Sequence, residues 1–197
     1  MSVKPILFNT EMVRAILAGR KTTTRRVINP GLVKLFLSDR QDNPQFGDAQ
    51  MINRYLSPPY RPGDVLYVRE TWALFNGEYL YRADSTEGIC VQDRYGVWRD
   101  PTWRPSIHMP KDAARIFLRV KDVHAEHLRE ITEEGAVREG LYKGWRLNGM
   151  GSTALSARQA FMWLWETITR HSPAAESWAL NPLVWVIEFE RCEDPEK

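Results

Sequence analysis

The 197-residue chain carries 27 Lys and Arg against 25 Asp and Glu, is 43% hydrophobic and 26% charged, and holds two cysteines. This is the ordinary composition of a soluble globular protein, with enough length to bury its own core, which excludes a miniprotein that needs a disulfide staple to fold. The longest apolar run, Ala160 to Trp165, falls far short of the roughly 20 residues that span a bilayer.

The N-terminus shows no apolar stretch of the secretory kind, so a cytoplasmic setting with no membrane partner is expected. Cys90 and Cys192 stand outside any C-x-x-C pair and read as free thiols. His108, His124, His127 and His171 lack metal-site spacing, so neither a metal nor another cofactor is expected. Protein partners are not legible. Charge, however, is unevenly spread. Residues 1–38 hold seven Lys or Arg (Lys4, Arg14, Arg20, Lys21, Arg25, Arg26, Lys34) against Glu11 alone, in a chain whose total is +2. Such asymmetry points to an anionic partner, and phosphate matches the guanidinium fork.

In chain order, residues 10–18 read as a helix capped by Asn9 or Thr10, with Met12, Val13, Ile16 and Leu17 on one stripe and Gly19 closing it. The β-branched run 22–28 reads as a strand stopped by Asn29-Pro30-Gly31. Residues 38–64 show no sustained period. Pro62-Gly63-Asp64 launches a strand over 65–72, with a partner at 78–83 forming a hairpin. Another irregular stretch, 84–110, is punctuated by Pro101, Pro105 and Pro110. A strand follows over 116–120 and continues, bent, to about Leu128. Residues 132–139 form a short helix with a Thr132 cap and acids in its first turn. After a Gly- and Asn-rich loop, 141–155, Ser156 and Gln159 form a capping box that opens the strongest helix, to about Arg170. Its buried stripe is Ala157, Ala160, Phe161, Leu164, Trp165 and Ile168. An apolar strand over 183–190 ends the fold. Strands separated by irregular loops, few helices and no βαβ alternation predict a single α+β domain, 1–197, built around a small mixed β-barrel.

The element Gly19-Arg20-Lys21-Thr22-Thr23-Thr24-Arg25-Arg26 concentrates the candidate chemistry. A threonine hydroxyl such as Thr24 attacks a carbonyl only after a base takes its proton. Lys21 qualifies as that base if Arg20, Arg25, Arg26 and partial burial depress its pKa. The plainer alternative is a solvated basic strand with threonines chosen for β propensity. In a regular strand Lys21 and Thr24 point to opposite faces, so they meet only if the chain is still turning there or bulges.

Amide hydrolysis also needs a proton donor for the leaving amine. Glu133 and Glu134 complement their helix dipole, whereas Glu139 sits in the last turn, where the dipole disfavours an anion. Glu139 is therefore the carboxylate least explained by local structure. Glu70 is a further candidate, or a structural partner for an arginine of the basic strand. Eight tryptophans suit a core, with some, such as Trp72, Trp98 and Trp103, available for base stacking.

Lys4-Pro5-Ile6-Leu7-Phe8, the Gly19–Arg26 element, Pro62-Gly63-Asp64 with Val68-Arg69-Glu70-Thr71-Trp72, and Asn181-Pro182 with Val184-Trp185-Val186-Ile187-Glu188-Phe189 together resemble ASCH-domain proteins, most closely the longer form of bacteriophages and prophages. The resemblance implies a PUA-like β-barrel with flanking helices and a cleft facing a modified nucleoside or RNA, and it leaves the irregular insertions at about 38–64, 84–110 and 141–155 unmatched. One compact bacterial branch of that family removes the acetyl group of 4-acetylcytidine with a lysine, a threonine and a glutamate. Carried over by motif, these fall on Lys21, Thr24 and Glu139; Arg20, Arg25, Arg26, Glu70 and Trp72 are the expected substrate contacts beside them. The implied activity is an amidohydrolase acting on an acylated cytidine. The rival is a module that binds RNA or a modified base through Arg25, Arg26 and tryptophans, without catalysis.

Overall fold

The computed structural model describes residues 3–42, 56–85, 90–92, 94–143, 155–171 and 176–195. In chain order its elements are β1 (Val3–Leu7), α1 (Thr10–Leu17), β2 (Thr23–Val27), α2 (Pro30–Asp42), β3 (Val65–Arg69), β4 (Trp72–Phe75), β5 (Glu78–Tyr81), β6 (Val91–Gln92), β7 (Trp98–Arg99), β8 (Phe117–His127), α3 (Glu133–Arg138), α4 (Ala157–Ile168) and β9 (Leu183–Cys192). The architecture is α+β, as the patterning predicts. Parts of the predicted irregular stretches 38–64, 84–110 and 141–155 lie outside the described residues. Contacts divide the chain into two units, each discontinuous in sequence: 1–20 with 63–120 and 189–197, and 21–62 with 121–188.

In the first unit β1 runs parallel to β3, Val3 opposite Val65 and Leu7 opposite Arg69, while β3 runs antiparallel to the start of β8. Ile6, Val65, Leu66, Val68 and Leu118 are all buried here. Helix α1 begins where Asn9 accepts the Met12 N–H at 2.9 Å, and it buries Met12, Val13, Ala15 and Ile16. The strand predicted over 65–72 is in fact interrupted. Glu70 and Thr71 leave the ladder, and Trp72 starts β4, which pairs with β5 rather than with β3. Asn76 and Gly77, at φ 50° and 85°, form the two-residue turn that sets this register, with Phe75 opposite Glu78.

In the second unit β2 is antiparallel to β9, with Thr23 opposite Glu188 and Val27 opposite Val184. The order there is β8-β9-β2. Asn29-Pro30-Gly31 ends β2 as expected but also starts a helix, α2, that patterning misses. Asn29 Oδ1 accepts the Gly31 N–H at 2.9 Å, and Pro30 occupies the first turn, where a missing N–H does no harm. Its apolar residues do not form a buried stripe: Phe36 is buried, but Leu32, Leu35 and Leu37 are exposed.

Thr132 caps α3 by accepting the Gly135 N–H at 3.0 Å. The Glu133 carboxylate, predicted to serve its own helix, instead accepts the N–H groups of Ala157 and Arg158 at 2.6 and 3.0 Å at the start of α4. There it reinforces the Ser156–Gln159 capping box. The stripe of α4 is buried as predicted from Ala157 to Trp165, but Ile168 is 53% exposed. By that point the helix is within its last turn. Among the described residues, no helix is long and apolar enough to cross a membrane.

Candidate active site

Gly19 sets the geometry of the basic element. Its φ of +70° lets α1 close with Gly19 N–H on the Ile16 carbonyl at 3.0 Å and Arg20 N–H on that of Ala15 at 2.9 Å. The chain is therefore still turning as it reaches Lys21. Arg20, a predicted substrate contact, is exposed.

Lys21 precedes β2 and forms an isolated antiparallel bridge with Glu139, while Thr22 N–H donates to the Arg138 carbonyl at 2.8 Å. This pairing carries the end of α3 alongside the start of β2. Glu139 is the C-cap of α3, and its N–H donates to the Gly135 carbonyl at 3.1 Å. Gly135 lies against Arg25: a Cβ on it would stand 3.4 Å from a guanidinium nitrogen.

The result is a cluster of buried charges. Lys21 is 3% exposed and Glu139 4% exposed. Lys21 Nζ donates to Glu139 Oε2 at 2.6 Å, to the Glu139 carbonyl at 3.1 Å and to the Thr23 carbonyl at 2.8 Å. Arg25 donates to Glu139 Oε1 at 3.0 Å, and its other edge holds Glu126 Oε1 of β8 at 2.7 and 2.8 Å. Its guanidinium also lies over the Phe161 ring, 5.8 Å from the centroid. Both oxygens of Glu139 thus serve a cation. Burial pulls the Lys21 pKa below its ordinary value of 10.5; Glu139 opposes this, while Arg26 and Arg25 add to it.

Thr23 and Thr24, each 2% exposed, follow in β2. Strand alternation puts Thr23 and Arg25 on one face, and Thr24 and Arg26 on the other. Arg26, with its pKa lowered by burial and raised by Glu139 and Tyr60, also lines a cavity of about 350 Å³. Val27, Ile28, Leu32, Leu56, Tyr60 and Trp185 are among the other residues around it. That volume lies within the roughly 300–1,000 Å³ of small-molecule sites. Glu126, Tyr60 and Trp185 were not singled out by the sequence. Trp185 looks like any core residue of an apolar strand, and only its register opposite Arg26 places it here.

Glu70 and Trp72 belong to the other unit. Glu70, fully buried, receives two hydrogen bonds from Arg115, at 3.0 and 3.2 Å, not from the basic strand. Arg115 also grips Asp84 and lies 3.8 Å from the centroid of the Tyr81 ring. Trp72 packs edge-on against Tyr79 beneath the Arg104 guanidinium, beside Met109 and Ala113. Trp98 is exposed, and Trp103 lies beneath Arg82. Among the described residues no group of three His, Cys, Asp or Glu is arranged to hold a metal ion.

No family model matches the chain, and no curated protein matches it. Among solved structures, an ASCH domain from Lactobacillus crispatus JV V101 is 12% identical, with 96% of this chain and 79% of that one covered and a TM-score of 0.40. A DUF984 protein from Enterococcus faecalis V583 is 10% identical, covering 98% and 76% respectively, with a TM-score of 0.43. Both are distant likenesses. The chemistry open to this chain follows from its own buried lysine and carboxylate.

Proposed function

We propose that the chain is a nucleoside- or RNA-directed amidohydrolase that removes an acyl group from the exocyclic amine of a modified cytidine. The observation that carries this reading is the Lys21–Glu139 pair. A lysine held at 2.6 Å from a carboxylate, yet with a depressed pKa, is poised to accept a proton and to return it. Glu139 orients the amine and stabilises its protonated form, while Arg25 holds the carboxylate in place from its other oxygen.

In the reaction the neutral Lys21 amine takes the proton of the attacking hydroxyl. That hydroxyl is a water's on the Lys21 side of β2, or that of Thr24 where the turn closing at Gly19 carries the amine round to its face. A C–O bond forms at the acyl carbon, the C–N bond to the ring amine breaks, and the proton moves from Lys21 to the departing nitrogen. Where Thr24 attacks, water then cleaves the threonine ester and regenerates the hydroxyl. The cavity bounded by Arg26, Tyr60 and Trp185 supplies what a nucleotide needs: aromatic surface for the base and a guanidinium for phosphate. The Gly-Arg-Lys-Thr element and its likeness to ASCH-domain enzymes support the same substrate class.

The test is incubation of the wild type with a panel of acylated cytidines, free and within RNA, read by mass spectrometry. Deacylation that is lost in Lys21→Ala and in Thr24→Ala, with folding retained, is the expected result. A wild type that binds these ligands without turning any over identifies a binding module instead.

A further inference from the structure

Arg25 joins two carboxylates that belong to different elements. Two of its nitrogens meet Glu126 Oε1 of β8 at 2.7 and 2.8 Å, and the third donates to Glu139 Oε1 at the end of α3 at 3.0 Å. Glu139 Oε2 in turn receives the Lys21 ammonium at 2.6 Å. The four groups form a row of alternating charge, Glu126–Arg25–Glu139–Lys21, and its last three members are buried. Gly135 backs the guanidinium closely, and the Phe161 ring of α4 lies under it.

Charge balance gives the outer carboxylate a role. Burial and the charges of Arg26 and Arg25 favour the neutral Lys21 amine, and Glu139 favours the ammonium. Glu139 is also the anion that Arg25 would otherwise have to itself. With Glu126 on its other side, Arg25 has an anion of its own, which weakens its pull on the amine. On the neighbouring β9, Glu188 stands opposite Thr23 and is paired with Arg138 of α3 at 2.9 Å. Strand packing alone does not call for a glutamate at 126, since glutamate is depleted in strands. Its neighbours Ala125 and His127 are exposed, whereas Glu126 is drawn partly inward to meet Arg25.

We infer that Glu126 is a positioning residue for the Lys21 base: it offsets the Arg25 charge and, through that guanidinium, holds Glu139 against the amine. The inference rests on the amidohydrolase reading for the reaction it serves, while its electrostatic part is read without turnover. Glu126 is two hydrogen bonds and a guanidinium from Lys21. Removing one charge at roughly 10 Å, in a medium between an effective dielectric constant of ~20 and that of water, should move the lysine midpoint down by about 0.3–1.2 pH units.

The experiment follows the titration of Lys21 by the carbon-13 resonance of its Cε in lysine-labelled protein, assigned with Lys21→Met. Wild type, Glu126→Gln, Glu126→Ala and Glu126→Asp are compared, with thermal unfolding and the pH profile of kcat/KM for the best acylated cytidine measured beside them. Glutamine keeps the acceptor for Arg25 but not the charge; aspartate keeps the charge. The expected result is a lower midpoint in the glutamine and alanine variants, a kcat/KM limb displaced by the same amount, and a midpoint near wild type in the aspartate variant. If one neutral variant does not fold, the other decides. A Glu126 that only ties β8 to β2 would lower Tm in the alanine variant and leave the midpoint at its wild-type value in both neutral variants. That pattern overturns the inference while leaving the hydrolase reading intact. If the wild type turns over no acylated cytidine, the hydrolase reading falls and the resonance alone decides whether Glu126 tunes the amine: a lowered midpoint supports it, and an unchanged one overturns it.

Discussion

Replacing Glu139 with alanine tests the electrostatics of the cluster directly. The carboxylate is 4% exposed and serves Lys21 at 2.6 Å and Arg25 at 3.0 Å. Arg25 would keep Glu126, and Lys21 would lose this carboxylate while keeping the carbonyl acceptors at Thr23 and residue 139. Removing one member of a buried pair typically costs about 3–5 kcal/mol, because the remaining charge is left uncompensated. In a domain of this size each kcal/mol lowers Tm by roughly 2–4 °C, so the loss at neutral pH should be about 6–20 °C.

The cost must also depend on pH. The folded pKa of Lys21 already lies below 10.5, so between the two values the unfolded state binds more protons. Stability therefore rises with pH through that window. Loss of Glu139 removes the influence that raises the lysine pKa, so the window widens toward lower pH. Urea unfolding of wild type and variant at neutral and mildly alkaline pH reads this as a ΔΔG that shrinks as pH rises. A penalty below about 1 kcal/mol, or one that does not change with pH, would refute the account of a desolvated ammonium held by this carboxylate.

The remaining expectations concern other parts of the molecule. Gly19→Ala places a side chain at φ +70° and should cost about 1–2 kcal/mol in denaturant unfolding. No atom lies near its Cβ position, so the penalty comes from backbone conformation rather than from a clash. Gly77→Ala should cost a similar amount, about 1–2 kcal/mol, since its φ of 85° sets the β4–β5 turn. A change under half that size at both would refute the reading. Glu70→Ala leaves Arg115 with Asp84 and the Tyr81 ring among the described residues and should destabilise by about 1–3 kcal/mol without altering turnover per folded molecule. A selective loss of kcat in that variant would bring Glu70 into the chemistry. If Lys21 is the base, kcat/KM for an acylated cytidine should rise with pH along a limb centred below 10.5. Lys21→Arg, whose guanidinium keeps its proton, should abolish that limb.

Much of this was legible from local signals. The caps at Asn9, Thr132 and Ser156, the closure at Gly19 and the apolar strand ending the fold depend on residues within one turn or one strand, and they appear where patterning puts them. What escaped depends on partners distant in sequence. The run from Val65 to Trp72 is continuous in β propensity, yet the strand breaks at Glu70, whose carboxylate is held by Arg115, more than forty residues later. Trp72 instead follows the register set by Asn76-Gly77. Helix α2 was hidden because Asn29-Pro30 both ends a strand and caps a helix, and because the helix lacks an amphipathic stripe. Glu139 drew attention because an anion opposes its helix dipole. The structure supplies its local reason, two cations 114 and 118 residues away in sequence.

The most direct measurement is the release of free acid from 4-acetylcytidine by the wild type and by Lys21→Met, a variant matched in length but unable to carry a proton. Hydrolysis by the wild type, reduced by about 10²–10⁴ in a Lys21→Met protein of native fold, is the predicted outcome. Equal rates in the two proteins would show that the buried amine takes no part in the chemistry.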